Sequence, residues 1–69
     1  MYAGLKMKQI REEKKITQKE ISDATGVTIP FLSRVENGDK IPTLALAYSI
    51  AKYLGVTLND LVGEEEENE

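Results

Sequence analysis

Apolar residues along this chain recur at helical spacing and hardly ever alternate. Between Thr43 and Gly55 they fall at Leu44, Ala47, Ile50, Ala51 and Leu54, the i, i+3, i+6, i+7, i+10 series that lines one face of a helix. The same spacing puts Met7 and Ile10 on the inner face of a helix within Tyr2–Lys15, whose other positions are mostly Lys, Arg and Glu, and Ile16 follows as an anchor. In between, the stretch TQKEISDATGVTIPFLSRVEN, Thr17 to Asn37, carries two short stripes, Ile21 with Ala24 and Leu32 with Val35. No segment holds a period of two for long enough to predict a sheet.

Capping residues set the boundaries. Thr17 and Glu20 form a T-x-x-E capping box, so a helix is expected from Gln18, and Gly26 should end it in a left-handed conformation. Gly26-Val27-Thr28 is the turn; Thr28 then caps a helix with Pro30 in its first turn, where a missing N–H costs nothing, and that helix runs out at Asn37-Gly38. A short loop, Asp39 to Pro42, leads to an N-cap at Thr43 and a fourth helix that Gly55 stops. Thr57-Leu58-Asn59-Asp60 opens a last short helix through Leu61 and Val62. The expected fold class is all-α, a compact bundle of five short helices joined by loops of two to five residues, with a helix-turn-helix at its centre. Residues 1–63 make one domain, and residues 64–69 are an acidic tail that cannot bury apolar surface and is expected to be disordered.

Composition removes most chemistry. A 69-residue chain buries roughly 60% of its unfolded surface and holds one domain, with no room for a substrate domain. There is no Cys and no His, which takes away disulfides, thiolate nucleophiles, imidazole bases and the usual zinc ligands, so no metal or cofactor is expected. Ser22, Ser33 and Ser49 have no imidazole to activate them, and Glu12, Glu13, Glu20 and Asp23 sit at the spacings of solvated helix faces; an enzyme is set aside. The longest apolar run, Leu44 to Tyr48, is far short of the ~20 residues of a membrane span. The N-terminus lacks the apolar core of a signal peptide. A cytoplasmic location is therefore expected. The net charge of -3 hides an asymmetry: residues 1–63 hold all nine basic residues and seven of the twelve acids, a net +2, and the tail holds the other five acids. That balance neither favours nor opposes a nucleic-acid partner.

The run IREEKKITQKEISDATGVTIPFLSRVENG, followed by PTLALAYSIAKYLGVTLNDLV, resembles the helix-turn-helix domain of the phage repressor and Cro family, also called the XRE family, over about Lys6 to Val62. Thr17-Gln18, Ala24 and Gly26, Glu36-Asn37-Gly38 and Leu54-Gly55-Val56 carry the resemblance. It implies a lambda-repressor-like fold and a transcriptional regulator that binds double-stranded DNA, in particular a repressor acting as a homodimer on a palindromic operator. The helix Thr28 to Asn37 would lie in the major groove with its N-terminal residues toward base edges, while the Gln18 helix braces the backbone.

By that resemblance the base contacts are Thr28, Ile29, Pro30, Ser33 and Arg34. Arg34 is the strongest of them, because a guanidinium pairs bidentately with guanine O6 and N7; a phosphate grip or a neighbouring acid is its other reading. Ile29-Pro30-Phe31 departs from the polar residues many family members carry here. Either these side chains meet thymine methyl groups, which implies a T-rich half-site, or Ile29 and Phe31 are packing residues. Gln18, Asn37 and Lys40 match phosphate-contacting positions, with capping as the alternative for the first two. Arg11 and Glu36 match an ion pair that braces the first helix against the third. Leu46, Tyr48, Tyr53, Leu58 and Val62 are left over from the core stripe and are candidates for a dimer surface, or else scattered surface residues. A different class remains open, a protein-interaction module of the same fold, an antitoxin or adaptor gripping its partner through Phe31, Tyr48 and Tyr53. With no room for a sensor domain, regulation is expected through concentration, dimerisation or a separate regulatory protein.

Overall fold

The computed structural model describes the backbone of residues 3–62 and the side chains of residues 6–62. It consists of α1 (Ala3–Glu13), α2 (Gln18–Thr25), α3 (Ile29–Asn37), α4 (Leu44–Leu54) and α5 (Leu58–Val62), and no strand occurs among the described residues. The expected helix start at Tyr2 and the tail from Glu64 lie outside the described residues.

Each cap predicted from sequence has a geometric counterpart. Thr17 Oγ1 accepts from the Glu20 N–H at 3.0 Å while Glu20 Oε1 accepts from the Thr17 N–H at 2.8 Å, so two of the first-turn donors of α2 are satisfied reciprocally. Thr28 and Thr43 accept from Phe31 N–H and Leu46 N–H in the same way. At the start of α5, Thr57 Oγ1 accepts from Asp60 N–H at 3.0 Å and Asp60 Oδ2 accepts from Thr57 N–H at 3.2 Å. Gly26, with φ +80°, ends α2 and makes the tight turn into α3; its Cβ position is open space, so only the backbone angle calls for glycine.

Helix α1 ends differently. Lys15 adopts φ 60°, the left-handed conformation that costs a side-chain-bearing residue roughly 1–2 kcal/mol, and Ile16 N–H closes back on Arg11 O at 2.9 Å as in a glycine-capped helix end. Lys15→Gly should therefore raise stability by about 0.5–1 kcal/mol, the relieved strain less the added freedom of the unfolded chain. Urea titration checks this, and a loss of stability would show that the Lys15 side chain makes an unrecognised contribution.

The core is made by Met7, Ile21, Leu32, Val35, Ala47, Ile50, Ala51, Leu54 and Leu61, with Ile10, Ile16, Val27, Phe31, Leu46, Val56, Leu58 and Val62 packed around it. Helix α1 packs on α3, α4 and α5, α2 on α3 and α4, and α4 on α5. Two expected core residues are not in it. Leu44 is 74% exposed: it is the first residue of α4, and because helical side chains lean toward the N-terminus, it overhangs the end of the stripe. Ala24 is exposed, while Thr25 turns inward on the next position, its hydroxyl donating to Ile21 O at 2.8 Å. The α3–α4 connection has the expected bounds, the loop Asp39 to Pro42 between the caps Gly38 and Thr43. It carries Ile41, which is 79% exposed.

Candidate nucleic-acid interface

Helix α3 has two unlike faces. Leu32, Val35 and Glu36 are buried against the rest of the domain, and Phe31 is half-buried on the core. The opposite stripe, Ile29, Pro30, Arg34 and Asn37, is exposed, with Thr28 exposed at the cap and Ser33 half-buried at the edge. Of the five residues sorted as base readers, four therefore lie on one solvent-facing surface and Ser33 borders it. Arg34 makes no ion pair among the described residues.

Glu36 holds this helix in place. It is 4% exposed, and Arg11 meets it with two bonds, Nε to Oε2 at 2.8 Å and Nη2 to Oε1 at 3.2 Å, the bidentate geometry that gives charged pairs both strength and direction. Arg11 Nη1 also donates to Ile16 O at 3.0 Å, tying down the α1–α2 connection. Gln18, the first residue of α2, completes the arrangement: its Nε2 donates to Glu36 Oε1 at 3.0 Å and lies 3.2 Å from Ser33 Oγ. One carboxylate on α3 is thus bonded to α1 and to α2. The sequence pattern suggested the Arg11–Glu36 pair by resemblance but gave no sign of the Gln18 and Ser33 connection, since these residues are fifteen apart and on different helices.

Gln18 and Asn37 line one open cleft together with Lys8, Arg11, Thr17 and Ser33 and the carboxylates of Glu12 and Glu36, the latter already bonded to Arg11. The α2 N-terminus opens there, and its free N–H groups and dipole suit an anion. Lys40 is exposed in the α3–α4 connection. The structure thus gathers Gln18, Ser33 and Asn37 beside the exposed stripe of α3, with Lys8 as a member that sequence reasoning passed over; a lone lysine on a charged helix gives no signal of its own.

The residues singled out for a dimer surface differ in exposure, and Tyr53 lines a different cleft from Leu58 and Val62. Leu46, Leu58 and Val62 are half-buried against the core, and Tyr48 and Tyr53 are exposed. Tyr53 lines a shallow cleft with Ala24 and Lys52. Leu58 and Val62 instead line a groove with Ile41, Pro42, Leu44 and Ala47, which contains the two most exposed large hydrophobic residues of the described chain, Ile41 and Leu44. None of its lining residues is charged. Periodicity had assigned Leu44 to the core, and Ile41 stands alone in a loop, so neither was legible as surface.

A five-helix domain with a capped, solvent-facing third helix braced by a buried ion pair has the architecture of the phage-repressor type of helix-turn-helix protein. The family model described as helix-turn-helix matches residues 7–61, and the chain belongs to that family of transcription regulators, which are not enzymes. It is 33% identical over 63 residues to the uncharacterized HTH-type transcriptional regulator YgzD of Bacillus subtilis, covering 91% of this chain and 96% of the relative. It is 31% identical over 65 residues to the immunity repressor protein of Bacillus phage phi105, covering 94% of this chain and 45% of that one. The chain thus spans less than half the length of the phage protein. Among solved structures, ComR from S. thermophilus in complex with DNA and its signalling peptide superposes with a TM-score of 0.82 at 28% identity, covering 96% of this chain and 23% of ComR. Among the described residues, no helix is long and apolar enough to cross a membrane.

Proposed function

We propose that this protein is a sequence-specific double-stranded DNA-binding repressor that acts as a homodimer on a palindromic operator, with Thr28 to Asn37 in the major groove. The observation that carries the reading is the α3 stripe of Ile29, Pro30, Arg34 and Asn37, exposed on a helix whose orientation is fixed from behind by Glu36. Thr28, Ile29, Pro30, Ser33 and Arg34 face base edges; Gln18, Asn37 and Lys40 take phosphates. The phi105 relative is named as a repressor and ComR is described in complex with DNA, which supports the repressor and DNA-binding parts of the proposal. The interaction-module alternative draws on Tyr48 and Tyr53, which are exposed but separated from Phe31, half-buried on α3.

For the dimer we assign the uncharged groove of Ile41, Pro42, Leu44, Leu58 and Val62 in place of the wider set read from sequence. A twofold contact brings each residue near the axis against its own copy or a close neighbour. Charges there repel, and this face carries none. It also begins in the loop that leaves α3, so the contact would fix the separation of two reading helices, ~34 Å for one turn of DNA.

Selection from random duplexes, followed by affinity measured against salt, tests the proposal. The expected result is a twofold-symmetric site whose log affinity falls with log salt by ~0.9 per phosphate contacted, and recovery of only single half-sites by the Leu44→Glu variant. No duplex binding, or an affinity indifferent to salt, would sink the repressor reading; asymmetric sites from the unaltered protein would sink the dimer.

A further inference from the structure

The first turn of α3 offers hydrocarbon to whatever lies against it. Ile29 is 39% exposed and outside the core cluster, and Pro30 beside it is exposed. Neither side chain can give or accept a hydrogen bond, and the hydroxyl oxygen of Thr28 already accepts from the Phe31 N–H at 3.3 Å. Two fifths of the Ile29 surface is open on the face assigned to base edges, and that area is best covered by an apolar counterpart. The major groove offers one such feature, the methyl group on C5 of a pyrimidine.

That methyl is present on thymine and equally on 5-methylcytosine. The two bases differ next to it, where thymine presents the O4 acceptor and cytosine the N4 amino donor, and a side chain with neither donor nor acceptor cannot tell them apart. We propose that Ile29 and Pro30 read the pyrimidine C5-methyl group itself, so that a 5-methylcytosine·guanine pair substitutes for thymine·adenine at the base pair they face. Cytosine methylation then becomes a signal that this domain detects. The inference rests on α3 being the DNA-reading helix. Arg34, one turn further along the same stripe, supplies polar readout, so the two ends of the helix sense different chemistry.

The experiment uses the full chain and the duplex that selection returns. Each thymine is replaced in turn by deoxyuridine, which removes the methyl and nothing else, and the most sensitive T·A pair is then replaced by C·G and by 5-methyl-C·G. One or two deoxyuridines per half-site should weaken binding about fourfold, the worth of one buried methyl. The C·G duplex should bind more weakly than the T·A duplex, and methylation of that cytosine should restore most of the affinity. Ile29→Ala should flatten the deoxyuridine penalty. Deoxyuridine without effect at every position, a methylated C·G pair that binds no better than the bare one, or an unchanged penalty in Ile29→Ala overturns the proposal. If the protein binds no duplex at all, the DNA-reading assignment of α3 fails first and the methyl inference falls with it.

Discussion

Arg11→Ala should destabilise the domain by about 3–5 kcal/mol, the cost of leaving a buried charge without its partner. The size follows from burial: the Arg11 side chain is 13% exposed and that of Glu36 3%, so the carboxylate loses bonds in a setting far less hydrated than the unfolded chain. The bond from Arg11 to Ile16 O goes as well. Gln18 still donates to Glu36, which places the expected loss toward the lower end of that range. For a domain of this size the midpoint of thermal unfolding should fall by roughly 15–30 °C, because the loss is a large part of a total stability of about 5–15 kcal/mol. Replacing both partners by apolar residues, Arg11→Met with Glu36→Leu, should cost markedly less than Arg11→Ala alone, because no unpaired charge remains. Urea unfolding of the single and double variants measures both numbers. A single variant within ~0.5 kcal/mol of the unaltered protein would mean that Glu36 is satisfied without Arg11.

Arg34→Ala should have the largest effect on which DNA is bound. The exposed guanidinium has no acid partner among the described residues, so its removal should leave the unfolding midpoint unchanged. Loss of a bidentate contact to guanine should reduce discrimination at that base pair by ~1–3 kcal/mol, about 5- to 150-fold in relative affinity. Gln18→Ala should weaken binding to all sequences alike, since a phosphate contact carries no base information. Part of that weakening comes from within the protein, because Gln18 also bridges to Ser33 and Glu36. Competition between the selected site and single-base variants separates the two behaviours. If Arg34→Ala also weakened every sequence equally, its side chain would be a phosphate contact.

What could be read from the sequence was whatever is encoded by neighbours a few residues apart. Thr17 with Glu20, Thr28 with Pro30, and Thr43 caught the helix starts because a cap is a contact over three residues. Ile50, Ala51 and Leu54 were legible as core because they sit mid-helix, where period and burial agree. Leu44 followed the same period and failed because it is the first residue of the helix, where the stripe overhangs the layer beneath it. Ala24 failed because α2 is only eight residues long and its inward side is completed by Thr25. At the candidate interface, the resemblance supplied Gln18 and Ser33 as separate contacts. That they also bond to one another, and Gln18 to Glu36, depends on the crossing of α2 and α3, which no local spacing records. The apolar groove was hidden for the same reason, being assembled from a loop and two helices.

The Glu36 arrangement has a mechanical consequence. With α1 and α2 both bonded to one buried carboxylate on α3, the reading helix cannot tilt without exposing or unpairing that charge, so it behaves as a stiff stencil. When a stiff surface meets a duplex of slightly different curvature, the duplex supplies the deformation, and its cost varies with base-step flexibility. On the proposed reading of α3, favoured sites would then be selected partly at base pairs that no side chain touches, through how readily those steps bend or twist.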